Sequence, residues 1–147
     1  MQASPEDYRL TAIVMVVSVT VTLLIVGSVS ANSVDMADMP AVAWCAVIIF
    51  GIQWLAWIPA SILQSERFYD LTGGLTFMAA VVFSLWSGSH SDDPSTRELL
   101  VSALAVIWSL RLSAFLFLRI HHSGKDGRFD QLKTSPIRFM VPWTRQA

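Results

Sequence analysis

Four long apolar runs, separated by short polar segments, set the frame of this chain. Residues 10–30 carry no charge and are rich in Val, Ile and Leu. Residues 41–63 are uncharged and hold Gln53, Trp54, Trp57 and Pro59 in their second half. Residues 71–87 are shorter and can start at Asp70, and residues 99–118 contain one charge, Arg111. A helix needs about 20 apolar residues to cross the hydrocarbon of a bilayer, so each run predicts a transmembrane helix. A fifth element is predicted over 136–147, because Ser135 is a good N-cap and Pro136 suits the first helical position; it is too short to span. The predicted fold is all-α: one polytopic transmembrane helical domain over residues 1–147, with four spans and the start of a fifth.

The first run also meets part of the signal-peptide pattern, with Ser28-Val29-Ser30 as an acceptable cleavage site. Its length, and the acidic Glu6 and Asp7 where a positive region belongs, favour a retained helix. Composition agrees with a membrane protein. Of 147 residues, 54% are hydrophobic and 14% charged, where soluble domains carry about 25% charged; mean hydropathy is +0.54. The net charge of −1 provides no broad basic field for nucleic acid. Cys45, the single cysteine, can form neither an internal disulfide nor a zinc or iron–sulfur site from thiolates, and reads as a small buried hydrophobe.

Orientation follows from Lys and Arg in the short loops. With the N-terminus inside, Arg9, Arg67, Arg119, Lys125, Arg128, Lys133, Arg138 and Arg145 are inside and Arg97 is outside, with Asp35, Asp38, Asp92, Asp93 and Glu98. Both ends are therefore expected to be cytoplasmic, at an endoplasmic reticulum or bacterial inner membrane.

Two polar loops then face the cytoplasm. The first is Glu66-Arg67-Phe68-Tyr69-Asp70-Leu71-Thr72-Gly73-Gly74; the second centres on Gly124-Lys125-Asp126-Gly127-Arg128-Phe129-Asp130 and continues to Lys133. Each sets opposite charges around an aromatic residue. Residues 119–138 hold five basic and two acidic residues. They read either as an anchor on anionic headgroups or as a phosphate grip, with Lys125, Arg128 and Lys133 as donors. Asp70 can N-cap the third helix, and Gly73-Gly74 permits close approach, chiefly by a neighbouring helix. Arg111 is costly inside a bilayer and lies about 12 Å along the helix from Arg119. It is expected to pair with Asp70 or Glu66, or to contact a ligand; the alternative is snorkelling.

Other chemistry is sparse. His121-His122 ends the fourth run and His90 lies in an outside loop, so all three read as solvated interface residues rather than haem or metal ligands. Serines are abundant, but none has a histidine beside it within a span to act as its base. Trp44, Trp86 and Trp143 lie at run ends and fit an interfacial belt. Trp54, Trp57 and Trp108 are interior, placed either for helix packing or to line a flat apolar cavity.

Taken in order, Glu66-Arg67-Phe68-Tyr69-Asp70-Leu71-Thr72-Gly73, Trp108-Ser109-Leu110-Arg111-Leu112, Gly124-Lys125-Asp126 with Arg128-Phe129-Asp130, and Trp143-Thr144-x-Gln146 resemble the less characterised branch of the steroid 5-alpha-reductase-like integral membrane family. The resemblance covers about residues 54–146 and corresponds to the family's N-terminal half. It implies an all-helical membrane protein that uses NADPH to reduce a carbon–carbon double bond conjugated to a carbonyl in a lipid or steroid-like substrate. It further implies that Lys125, Arg128, Lys133 and Arg111 bind the cofactor while Glu66, Arg67, Asp70, Asp126, Asp130 and Gln146 orient ligand or structure.

Two departures from the family shape the expectation. The family's downstream Asn-Pro-x-Tyr-like cofactor motif is absent here; Asn32 is the only asparagine, and Tyr8 and Tyr69 are the only tyrosines. The intramembrane glutamate and tyrosine of true steroid reductases match most nearly to Trp57 and Trp108, which cannot donate a proton, so no catalytic acid is assigned. The chain is thus expected to be an incomplete member that lacks activity by itself and binds NADPH weakly or not at all. The alternative is a non-catalytic four-helix membrane protein that binds lipid or a partner protein through its basic loops. Membrane lipids and a second copy of the chain are the other partners considered; nucleic acid is not.

Overall fold

In the computed structural model, residues 4–89, 93–123 and 127–147 are described, without the side chains of Ser123 and Arg128. The fold is all-α. Helix α1 spans Pro5–Val29, α2 Ala41–Ile62, α3 Tyr69–Gly88, α4 Thr96–Ser123 and α5 Pro136–Gln146. The first four are long and apolar enough to cross a membrane, and the chain reads as an integral membrane protein. They run up and down, so the start of α1, the α2–α3 and α4–α5 connections and α5 share one end, called here the loop end.

Local chemistry explains the boundaries. Ser4 and Asp7 form a capping box at the start of α1, and Ser135 caps α5 ahead of Pro136, each satisfying amides that have no intrahelical partner. Helix α2 ends with Gln64 in the left-handed region at φ 48° and the Ser65 amide donating to the Ala60 carbonyl at 3.0 Å, a Schellman stop. The α1–α2 connection contains a short antiparallel pair, β1 Asp35–Met36 and β2 Met39–Pro40. Ala37 and Asp38 turn between them, both at positive φ, as a two-residue hairpin of the primed type requires; the hydropathy pattern gave no sign of it. Helix α3 starts at Tyr69, so Asp70 is in its first turn rather than at the N-cap, which Phe68 occupies. Helix α4 continues to Ser123, which makes His121 and His122 its last turn.

Packing is inside-out by soluble standards. Among the described residues ten buried side chains are polar or charged and six are apolar, whereas large apolar residues such as Val16, Leu24, Leu55 and Leu104 face outward. That suits helices whose solvent is hydrocarbon and whose contacts rest on close packing and interhelical hydrogen bonds. Helix α3 packs on α4 and on α2, and α5 packs on α1 and α2. Helix α5, though short, carries the centre of the core: Phe139 and Trp143 are fully buried beside Phe129, with Trp57, Ala60, Tyr69 and Leu132 around them. It ties α1 down through Thr11, whose hydroxyl donates to the Ile137 carbonyl at 3.0 Å. Trp143 is therefore a core residue, not part of an interfacial belt, because α5 folds back into the bundle instead of lying at its rim.

Candidate functional site at the loop end

The two charged, aromatic loops meet. Glu66, 3% exposed, accepts from the Lys133 ammonium through both carboxylate oxygens, at 3.3 and 3.1 Å. Lys133 also pairs with Asp130 at 3.3 Å. Beside them the Tyr69 ring lies 4.9 Å from that of Phe129 and meets Trp143 edge-on at 5.1 Å. The Tyr69 hydroxyl donates to the Pro142 carbonyl at 2.9 Å. Asp70 is buried in the first turn of α3, where the positive helix end favours its negative charge. Burial pulls the Lys133 ammonium toward its neutral form, but the hydrogen bonds and charges of Glu66 and Asp130 outweigh it and raise the pKa above the ordinary lysine value.

A polar seam runs from there into the bundle along α3. Gly73 receives the Gln146 side chain of α5, and Gly74 receives Ser113 of α4; a Cβ at either glycine would overlap those side chains. The Ser109 hydroxyl donates to the Gly74 carbonyl at 3.1 Å. One turn further along, the fully buried Gln53 donates through Nε2 to the Thr76 hydroxyl at 3.2 Å, which itself donates to the Thr72 carbonyl at 2.8 Å. Trp54 donates to the Thr144 hydroxyl at 3.3 Å. Gln53 Oε1, Trp143 Nε1 and Gln146 Oε1 are buried without a hydrogen-bond partner among the described residues, a cost of about 1–3 kcal/mol each for groups that could take one.

The sequence-predicted residues divide as follows. Glu66, Asp130 and Lys133 are joined by ion pairs at the loop end, Asp70 lies in the first turn of α3 at the same end, and Gln146 packs on Gly73. Arg67 is beside them in sequence but exposed. Lys125 and Asp126 lie outside the described residues; Arg128 sits in the 3-10 turn Gly127–Phe129, with its side chain outside them. Arg111 is a correction. No ion pair among the described residues joins it to Asp70 or Glu66, and its side chain is exposed. The reason is helical phase: Ser109 and Ser113 turn the α3-facing side of α4 inward, and two residues from either is about 200° around the helix. Gly73-Gly74 serves helix packing, as expected. Gln53, Thr76 and Thr144 were given no site role in the sequence reading; for Gln53 and Thr76, an uncharged polar residue inside an apolar run was the available signal.

An apolar cleft of about 440 Å³ opens between α1 and α2, lined by Val19, Leu23, Val26, Ala46, Phe50 and Trp54 among others. It places one of the interior tryptophans, Trp54, on an apolar cavity wall.

No curated protein and no solved structure matches the chain. Residues 56–147 match the DUF1295 family, described as a protein of unknown function. The matched stretch takes in the end of α2, all of α3, α4 and α5 and both charged loops, more than half of the chain. This helical, membrane-type chain therefore belongs to the DUF1295 family.

Proposed function

We propose that the chain contributes the dinucleotide-facing part of a membrane-embedded reductase of the NADPH-dependent type, acting on a double bond in a lipid or steroid-like substrate, and that the loop end is the cytoplasmic face that meets the dinucleotide. The observation that carries this reading is the junction of the two motif-bearing loops, Glu66 with Lys133 and Tyr69 with Phe129. It builds one surface from segments 67 residues apart, beyond what two independent linkers need. The residues fit a polar ligand in one respect: a buried donor on Trp143 and a buried acceptor on Gln146 are without partners among the described residues. In this reading Lys125 and Arg128 hold phosphate, Lys133 is held in place by Glu66 and Asp130, and Gln146 faces the ligand from α5. NADPH, when bound, supplies a hydride. The chain's part is to position it.

A second reading has its own observation. The charge of Lys133 is already met by two carboxylates, as in a structural lock, and the remaining basic residues would then anchor the loops on anionic lipid. A titration separates the two. The 147-residue chain in neutral detergent, titrated with NADPH and with NADH by fluorescence, is expected to bind NADPH weakly, saturably and with salt sensitivity, and to lose that binding in the Lys125→Ala/Arg128→Ala variant. Absence of NADPH binding, with the same variant losing affinity for anionic vesicles, would overturn the reductase reading in favour of the anchor.

A further inference from the structure

Helix α5 carries two polar side chains whose hydrogen-bonding capacity the fold leaves open. Trp143 and Gln146 are three residues apart, so they are neighbours on one helix face. The Trp143 ring is 1% exposed and is held edge-on by Tyr69 at 5.1 Å and by Phe139 at 6.2 Å, packing that locks its rotamer and so the direction of its indole N–H. The Gln146 side chain lies on Gly73, in space that a Cβ there would fill. Trp143 Nε1 and Gln146 Oε1 are both buried without a hydrogen-bond partner among the described residues. Polar groups around them are met: the Thr144 hydroxyl accepts from Trp54, and the Tyr69 hydroxyl donates to the Pro142 carbonyl. Buried polar groups nearly always have a partner, so an orphan donor and an orphan acceptor at neighbouring positions point to a ligand group that answers both.

We propose that Trp143 and Gln146 recognise a primary carboxamide, that of the nicotinamide ring. The indole N–H donates to the amide oxygen, and Gln146 Oε1 accepts from the amide nitrogen. A phosphate or carboxylate has no donor for Gln146, and an ammonium has no acceptor for Trp143; a primary amide has both. Gln146 as a residue is only partly buried, so the ligand approaches from its side of the pair. This inference rests on the dinucleotide reading above and adds to it: the redox end of the cofactor meets α5 where it packs on Gly73, and the phosphates are left to Lys125 and Arg128.

The test uses the full chain in neutral detergent, labelled at its N-terminus, with binding read by thermophoresis. Three probes are titrated: NADPH, the reduced 3-acetylpyridine analogue, in which a methyl group replaces the amide nitrogen, and 2′-phospho-ADP-ribose, which lacks the ring. The parent is expected to bind NADPH about tenfold more tightly than either of the others. Gln146→Leu should abolish the preference for NADPH over the acetylpyridine analogue and leave 2′-phospho-ADP-ribose unchanged. Trp143→Phe should weaken NADPH and the analogue alike, since both keep the carbonyl oxygen. If either variant fails to fold, the comparison of the three probes on the parent decides alone. Equal binding of NADPH and the analogue by the parent would overturn the carboxamide site and leave the phosphate reading standing. Equal weakening of all three probes by Gln146→Leu would assign Gln146 to packing on Gly73 and overturn it too. Binding of none of the probes would remove the dinucleotide reading and this inference together.

Discussion

Replacing Gly74 by alanine is the sharpest test of how α3 and α4 pack. A Cβ at this position falls on the Ser113 side chain, overlapping both its Cβ and its hydroxyl, with the Ser109 hydroxyl at 3.5 Å. The backbone of α3 can yield little, because the Gly74 carbonyl is already held by Ser109 at 3.1 Å. Relief therefore means moving α4 outward. In a water-exposed helix interior, glycine to alanine gains about 1 kcal/mol from propensity. Here overpacking costs about 1–3 kcal/mol, and moving α4 strains or breaks the Ser109 bond, about 1 kcal/mol. The net expectation is destabilisation by about 1–3 kcal/mol. Gly51→Ala is the internal control, since a Cβ there meets nothing within 4 Å, and it should be neutral or stabilising. Ser113→Gly removes the atoms at fault and should suppress Gly74→Ala in a double-mutant cycle. Reversible unfolding in mixed micelles, followed by far-ultraviolet circular dichroism, measures the parent and all four variants. Gly74→Ala as stable as Gly51→Ala, or no suppression by Ser113→Gly, would refute the packing described.

Three further outcomes follow from the loop end and the α2 stop. Glu66→Gln leaves Lys133 with Asp130 alone and should weaken the junction of the loops by about 1–3 kcal/mol, seen as faster proteolysis between α4 and α5; similar cleavage rates in the variant and the parent would count against the lock. Because the folded-state pKa of Lys133 is raised, its contribution is fully present below the ordinary lysine value and is lost as pH rises through the folded value; the junction should loosen in that alkaline window, and the loss should shrink in Glu66→Gln/Asp130→Asn. Gln64→Gly should stabilise α2 by about 0.5–1 kcal/mol, since φ 48° suits glycine and strains glutamine; a lower unfolding midpoint would show the turn to be held by the Gln64 side chain instead.

Hydropathy made the four spans and the start of α5 legible because the membrane writes itself along a chain as runs of about 20 apolar residues. Ser135-Pro136 marked the start of α5 for a local reason, a cap and a fixed φ. The charged loops were legible as loops with unusual detail, and the ion pairs of Lys133 with Glu66 and Asp130 join them. Trp143 was not legible. A tryptophan near the end of an apolar element suggests an interface, and only the return of α5 into the bundle buries it. The Ala37-Asp38 hairpin turn was missed because it depends on two positive φ values carried by residues other than glycine.

Arg111 shows where a one-dimensional reading fails and which signal repairs it. Depth along the helix made Asp70 or Glu66 an available partner, and an intramembrane charge asks for one, so pairing or ligand contact was favoured over snorkelling. Depth says nothing about rotation. Rotation was encoded in Ser109-x-x-x-Ser113, a small-xxx-small spacing that lets a neighbouring backbone approach closely. Gly74, near the start of α3, supplies that backbone. Once those two features are matched, the α3-facing side of α4 is fixed, and Arg111 lies about 200° from it. Among the described residues, the same match leaves Arg111 without a carboxylate and turns its cation away from α3.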